Sequence, residues 1–419
     1  MRSVLQQKCS DFEVVISDNF SSDNTKEVAE NFDDERVFYF RTSESLPMNE
    51  SYKFALRHAR GEYITFLSDD DAFSIELLEK AQSVINRTKA ELLCWRYAFY
   101  YLNDKNQNEL PPLHPLRRIR KNTVAIQPFC SQLFEIDPRS TIKHALLDSS
   151  EENTNLLTPQ ANGPAITNTL YHRNVFERIE KRGLDLFPKN VIPDVYSGTI
   201  IGSQIEKYFF LDEPLTIYCV SENSTTSSSN TDKEKLAKQF QDLQNGDPVL
   251  FTPIKSLLNF NYRIQSILQA KHDVGRDLED LQLNRSNYFI IYHQNLLFLK
   301  DQGIDIKSDL DEFNRVLVSD SEAVQNAVRA AIAINVKQTI RQIIKKMPRP
   351  PFLTKRVARS MPEKIHQKSI IIRGKDAGFE NILEFATWLN SNRLEELSEF
   401  STNLFHQKPA ELPFGWQIN

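Results

Sequence analysis

G-E-Y-I-T-F-L-S-D-D-D-A-F, residues 61–73, is an apolar run that stops abruptly in three carboxylates. Tyr63 to Leu67 is aromatic and β-branched, the composition of a buried strand. Asp69, Asp70 and Asp71 follow it, and three adjacent like charges cost free energy unless solvent or a cation screens them. Ser74 offers an N-cap for a helix through I-E-L-L-E-K-A-Q-S-V-I, where apolar residues recur at helical spacing. Carboxylates at the carboxyl end of a strand stand where open α/β sheets bind ligands. Hard oxygen ligands suit Mg²⁺ or Mn²⁺, and such an ion suits a phosphorylated substrate. The alternative reading is a solvated acidic turn that caps the helix.

Outward from this stretch, strands and helices alternate. Phe12 to Ile16 reads as a strand, followed by the polar turn S-D-N-F-S-S-D-N-T, in which Asp23 can cap a helix. Val37 to Phe40 is a second strand, Asn49 to Ala59 a helix, and Glu91 to Phe99 a strand beyond the acidic stretch. Strands separated by helices of roughly ten residues predict βαβ units, hence an α/β fold with a mixed, mostly parallel sheet. Only 11 glycines are present, and neither G-x-G-x-x-G nor G-x-x-x-x-G-K-[ST] occurs, which disfavours glycine-rich phosphate loops. A net charge of −5 gives no reason to expect nucleic acid. Four well-separated cysteines with no C-x-x-C read as reduced thiols of a cytoplasmic protein. No apolar run approaches the ~20 residues of a membrane span.

The runs S-D-N-F-S-S-D-N-T and N-E-S-Y-K-F-A-L-R-H-A-R-G-E-Y-I-T-F-L-S-D-D-D resemble the GT-A fold glycosyltransferases of family two, over roughly residues 1–225. The resemblance implies an inverting enzyme that moves a sugar from a nucleotide donor to an acceptor hydroxyl, by default in bacterial surface polysaccharide synthesis. Asp18 matches the acidic residue that holds the nucleobase in that family. The family's Asp-x-Asp motif matches Ser68 to Asp71 in one of two registers. Read onto these residues, the resemblance implies that Asp69 faces the ribose, Asp70 ligates the metal, and Asp71 is a supporting ligand or cap. In F-P-K-N-V-I-P-D-V-Y-S-G, Asp194 matches the catalytic base, with Pro193 where an acidic neighbour is common. A sugar hydroxyl attacks poorly unless a positioned carboxylate takes its proton; Asp194 as a helix N-cap is compatible with that role. The rival function is a non-catalytic relative that binds a nucleotide sugar or a partner without turnover.

Family members usually begin with a hydrophobic strand ahead of a helix ending like Arg2-Ser3-Val4-Leu5-Gln6-Gln7. The resemblance therefore implies that the central strand is missing. The expected consequence is a coding region starting upstream, a damaged copy, or direct pairing of the strands at Phe12–Ile16 and Tyr63–Leu67. Between Tyr101 and Thr158 the pattern weakens into a proline-containing insertion whose Arg117 and Arg118 could meet a diphosphate or simply face solvent. His172 reads as a helix flank. The polar tract 221–231 is a linker or a lid. Residues 226–419 read as a mostly helical region. Between Lys337 and Lys375 it carries twelve Lys/Arg against one acidic residue, Glu363. That basic segment could dock peripherally on an anionic membrane, where lipid-linked acceptors reside, or serve as a solvated face.

Overall fold

In the computed structural model, which describes residues 1–102, 122–148, 163–220, 251–346, 370–398 and 417–418 apart from positions 128, 190, 257, 302, 391 and 392, the strands fall into two sheets. After α1 (Arg2–Leu5), β1 (Val14–Asp18) and β2 (Val37–Arg41) pair in parallel around α2 (Thr25–Glu30), with Asp18 opposite Arg41. Beyond α3 (Met48–His58), β3 covers only Tyr63–Ile64 and pairs with β8 (Thr169–His172). The expected strand through Leu67 is thus paired over its first two residues only. Direct pairing of β1 with β3 is not found: among the described residues β1 pairs with β2 alone and β3 with β8 alone. Ser17 Oγ on β1 and Thr65 Oγ1 just past β3 are buried without a partner.

The larger sheet is mixed rather than mostly parallel. Its β4 (Ala72–Phe73), β5 (Leu92–Tyr101), β6 (Thr123–Ile126), β7 (Leu133–Ile136) and β8 surround the long β9 (Tyr208–Val220) or flank β5. Only β5 and β9 run parallel within it; the pairs made by β3, β4, β6, β7 and β8 are antiparallel. The crossover pattern does not carry past β5: β6 pairs antiparallel with β5, and β7, which leads into α5 (Pro138–Ala145), pairs antiparallel with β9.

Between β4 and β5 lies α4 (Leu77–Thr88), whose start corrects the expected Ser74 cap. Ser74 Oγ donates to the Leu389 carbonyl, and the helix instead receives Gln7, whose Oε1 accepts from Leu78 N at 2.9 Å. Gln7 Nε2 also donates to the Ser74 carbonyl at 2.7 Å, so the first residues of the chain are stitched to the acidic stretch. Asp23 does accept from Thr25 N at the head of α2. His172 is more than a flank, since its Nδ1 accepts from Asn174 N at the start of α6 (Arg173–Lys181).

The apolar core runs through the 225/226 boundary. One cluster joins α7 (Pro193–Gly202) and neighbouring strands to α8 (Asn259–Val274), α9 (Arg285–Asp301), α10 (Lys307–Val318) and Val328 of α11 (Glu322–Lys346). The other joins α4, β5 and β9 to Ile372 and to α12 (Ile382–Trp388). Here the strand β10 (Ile370–Arg373) pairs with β6, and β11 (Gln417–Ile418) adds to its far side. No helix of the described residues is long and apolar enough to cross a membrane. Arg117 and Arg118, the tract 221–231 and most of the basic segment lie outside the described residues.

Candidate active site

The acidic stretch leaves β3, turns at Ser68–Asp71 and enters β4 on the edge of β9. The turn is closed by the Asp71 N–H donating to the Ser68 carbonyl at 3.2 Å. Asp69 and Asp70 are exposed, whereas Asp71 is only 7% exposed. One oxygen of Asp71 accepts from Cys219 N on β9 at 2.8 Å; the other, Oδ2, is buried with no hydrogen-bond partner. Burial, then Asp70, Asp69 and Asp194, push its carboxyl up to about 7 against the opposing pull of the Cys219 N–H. Asp70 is also raised, by desolvation first and by Asp69 second. An orphaned buried carboxylate oxygen among like charges is a place short of a cation.

Asp194 approaches from the other side of the chain. It sits in the first turn of α7, behind Pro193 at the helix start and with Ile192 as N-cap, so its side chain is not the cap. Position 198 on this helix must be glycine, because a Cβ there would lie 2.1 Å from the Pro164 carbonyl oxygen. The residues from α8 hold the helix head. Ser266 Oγ accepts from Ile192 N at 2.8 Å, and Tyr196 donates to Asp273 at 2.8 Å. Asp194 is half-buried. Burial raises its pKa, and Arg263 of α8 draws it partly back.

Asp71 thus feels the charges of its neighbours Asp70 and Asp69 and also that of Asp194. Sequence reasoning missed three members of it. Tyr52 of α3 and Tyr97 of β5 both have hydroxyls raised by burial and then by the field of Asp194, with Asp71 adding to each. Tyr97 is anchored to Thr167 Oγ1 at 3.1 Å. The third is Arg263, which no local motif announces. Among the described residues no three His, Cys, Asp or Glu side chains converge closely enough to hold a metal by themselves. One or two carboxylates completed by substrate phosphates are nevertheless the usual Mg²⁺ arrangement, and Asp70 with Asp71 Oδ2 fits it.

Asp18 stands apart. It is 4% exposed and its oxygens are already occupied by Ser21 N (2.8 Å), the Tyr39 hydroxyl and the Arg41 guanidinium (3.3 Å). Burial alone would raise its pKa, but the Ser21, Tyr39 and Arg41 interactions outweigh it and hold the carboxyl below its ordinary value.

Residues 1–179 match the model of glycosyl transferase family 2. The chain is 38% identical over 95 residues to the GalNAc(5)-diNAcBac-PP-undecaprenol beta-1,3-glucosyltransferase of Campylobacter jejuni, covering 20% of this chain and 27% of that protein. It is 32% identical over 82 residues to a putative teichuronic acid biosynthesis glycosyltransferase of Bacillus subtilis, covering 19% and 32%. The aligned stretches thus span about a third or less of these relatives. The solved structure of S. aureus TarS 1–349 in complex with UDP-GlcNAc aligns at 13% identity and a TM-score of 0.39, over 81% of this chain and 86% of that one. Residues 1–179, under half of the chain, are thus similar to glycosyl transferase family 2.

Proposed function

We propose that the protein transfers a sugar from a nucleoside-diphosphate donor to an acceptor hydroxyl with inversion, in the synthesis of a bacterial glycan. The observation that carries this reading is the match of residues 1–179 to glycosyl transferase family 2, with Asp194 in the first turn of α7 and its carboxyl raised by desolvation. A general base needs a pKa drawn toward the working pH, and burial does that for Asp194. It would take the proton from the acceptor hydroxyl as that oxygen attacks the anomeric carbon from the face opposite the leaving diphosphate. Asp70 and Asp71 would hold a divalent ion, Mg²⁺ or Mn²⁺, which when bound offsets the charge of the leaving group. Asp69 would contact the ribose, and Asp18 would belong to the nucleotide pocket. The hydroxyls of Tyr52 and Tyr97, neutral at any ordinary pH, would orient sugar oxygens without adding charge.

The acceptor fits a glycan or a lipid-linked glycan, in keeping with the names of the matched relatives. Peripheral membrane contact through residues 337–375 and a cytoplasmic location belong to the same reading. The test is release of nucleoside diphosphate from a panel of UDP- and GDP-sugars, with and without Mg²⁺ or Mn²⁺. Metal-dependent release by the wild type, abolished in Asp194→Asn while donor still binds, supports it. Donor binding without release under every condition supports the non-catalytic rival instead.

A further inference from the structure

The alternation of β5 breaks in its middle. Ahead of Arg96, Leu93 and Trp95 enter the core shared with α4, while Leu92 and Cys94 turn to the face that carries α7. A regular strand would send Tyr97 and Phe99 the way of Leu93 and Trp95. The register with β9 shifts at both steps between Trp95 and Tyr97, where the Arg96 guanidinium is buried against Asp212. Past that shift it is Ala98 and Tyr100 that enter the α4 core. Tyr97 and Phe99 are thereby turned over, onto the sheet face of α7. Irregularities of this kind re-aim side chains beside active sites. On β9, Ile217 and Cys219 enter the α4 core, so Tyr218 between them turns to the α7 face as well.

Three aromatic rings meet there, beside the acidic turn. Tyr218 lies edge-on to both Phe99 and Tyr97, at 5.8 and 6.2 Å between centroids, and Tyr97 is 6.2 Å from Phe99. The backbone N–H that follows Tyr218, that of Cys219, is the one bonded to Asp71. The Tyr97 hydroxyl, raised chiefly by burial, also feels Asp194 and Asp71. All three residues are only half-buried. Among the described residues neither large apolar cluster includes Tyr97 or Tyr218, and Phe99 packs only on the small group of Tyr101 and Ala125. Core packing gives no reason to turn these rings over.

A site that already holds Asp69, Asp70, Asp71 and Asp194 gains nothing from a further negative charge. An aromatic face, negative by its quadrupole, attracts the weakly positive C–H groups on one side of a pyranose ring without any net charge. Ligand sites are commonly lined in this way, by aromatic side chains with a few polar groups converging on them. We propose that Tyr97, Phe99 and Tyr218 are the platform on which the acceptor's ring lies, so that the acceptor is a pyranoside and not an acyclic polyol or a lipid alcohol, an inference that rests on the transferase reading above. Phe99 and Tyr218 bind the ring, and Tyr97, anchored to Thr167 Oγ1 at 3.1 Å, orients its rim.

The experiment has a binding arm and a turnover arm, each with the wild type, Phe99→Ala, Tyr218→Ala and Phe99→Trp. In the first, saturation-transfer NMR irradiates the protein's aromatic protons and reads methyl glucopyranoside, methyl N-acetylglucosaminide and the acyclic polyol sorbitol. Saturation should reach the C–H protons on one face of a pyranoside but not sorbitol, drop in both alanine variants and persist in Phe99→Trp. In the second, the same acceptors are offered with the UDP- or GDP-sugar that the donor panel identifies. Each alanine variant should raise the acceptor KM by about tenfold, with smaller changes in kcat and in the donor KM. Equal saturation of sorbitol and the pyranosides, or an acceptor KM within about twofold of wild type in both alanine variants, overturns the platform. Nucleotide release by a wild type that shows no saturation of either pyranoside also overturns it and leaves the transferase reading standing. Pyranoside saturation that is lost in the alanine variants, without nucleotide release from any donor, supports the platform and sinks the transferase reading alone.

Discussion

Asp18 and the pair Asp71/Asp194 are desolvated carboxylates of one protein in opposite states. Asp18 receives a backbone N–H, a phenol and a guanidinium, and its pKa falls. Asp71 receives one N–H and keeps one orphaned oxygen, while Arg263 draws Asp194 only partly back, and both are raised. The first is a carboxylate that holds structure together. The others are held at a cost to folding, and that cost is tolerable only if something else, a cation or a transferring proton, makes use of it. Substitutions should therefore split the two groups: removing charge from Asp71 or Asp194 stabilises the fold and harms function, and removing it from Asp18 harms the fold first.

The largest effect is expected at Asp194. Asp194→Asn should lower turnover by roughly 10²–10⁴, the range of a positioned general base, with donor affinity kept. Its Tm should rise, because a desolvated charge is gone. The acid limb of the wild-type rate profile should lie above the ordinary carboxylate range, since the deprotonated form is the active one and its pKa is raised. A neutral-pH Tm below wild type, measured by calorimetry, would break the comparison.

Next comes the acidic turn. Asp70→Asn and Asp71→Asn should each weaken Mg²⁺-dependent donor binding by about tenfold or more, read by calorimetric titration. For Asp71 the linkage has a definite sign. Its folded pKa of about 7 exceeds the unfolded value, so the protonated form stabilises the native state at low pH. That contribution disappears as pH climbs from about 4 to about 7. In EDTA, the Tm advantage of Asp71→Asn should be absent near pH 4, open through that window and level off above it, at roughly 2–5 °C. A constant offset across pH would mean the side chain is not titrating as its burial implies.

Local signals carried much of this in the sequence. The acidic triplet, the helix opening at Pro193 and the long apolar strand β5 can all be read from spacing and residue type, because each depends on near neighbours. What could not be read depends on residues far apart in the chain. Ser74 looked like a cap, but Gln7, 67 residues from Ser74, supplies the hydrogen bonds there. Arg263 and Ser266 reach the Asp194 helix from beyond the expected boundary, and β10 joins β6 across more than half the chain. Asp18 is an intermediate case. Tyr39 and Arg41 alternate onto one face of β2, so a parallel register with β1 could have revealed both as its partners.

The stabilising side of the comparison is tested at Asp18 itself. Asp18→Asn leaves a shape-matched acceptor but removes the charge that engages Arg41 and Tyr39. Charge-assisted bonds of this kind are worth more than neutral ones, and a Tm loss of roughly 3–6 °C is expected at pH 7. The depressed pKa means the wild-type advantage is full above the unfolded value near 4 and fades as pH falls through the lower folded value. Near pH 3 the two proteins should therefore unfold closer together, and a gap that widens on acidification would show that Asp18 is not stabilising as a carboxylate.

The smallest effect sharpens the comparison most, because it leaves Asp18 in place. Tyr39→Phe deletes one donor to the carboxylate while the Ser21 N–H and Arg41 remain. The Tyr39 hydroxyl is raised to about 12, by desolvation first and then by bonding to Asp18, so the neutral phenol is the bonded form throughout the working range. Its contribution is full between the unfolded pKa values of the two groups, about 4 and about 10. It is lost on the acid side as Asp18 takes a proton and on the alkaline side as the phenol ionises near 12. A Tm loss of about 1–2 °C at pH 7 is expected, with pyrophosphate binding unchanged. If Asp18 is only a strut, the variant should also leave UDP affinity within about twofold, since the Ser21 N–H and Arg41 still hold the carboxylate in place. If UDP affinity instead falls more than tenfold while Tm scarcely moves, the carboxylate is reading the nucleotide directly, and the division between Asp18 and the two raised acids would have to be abandoned.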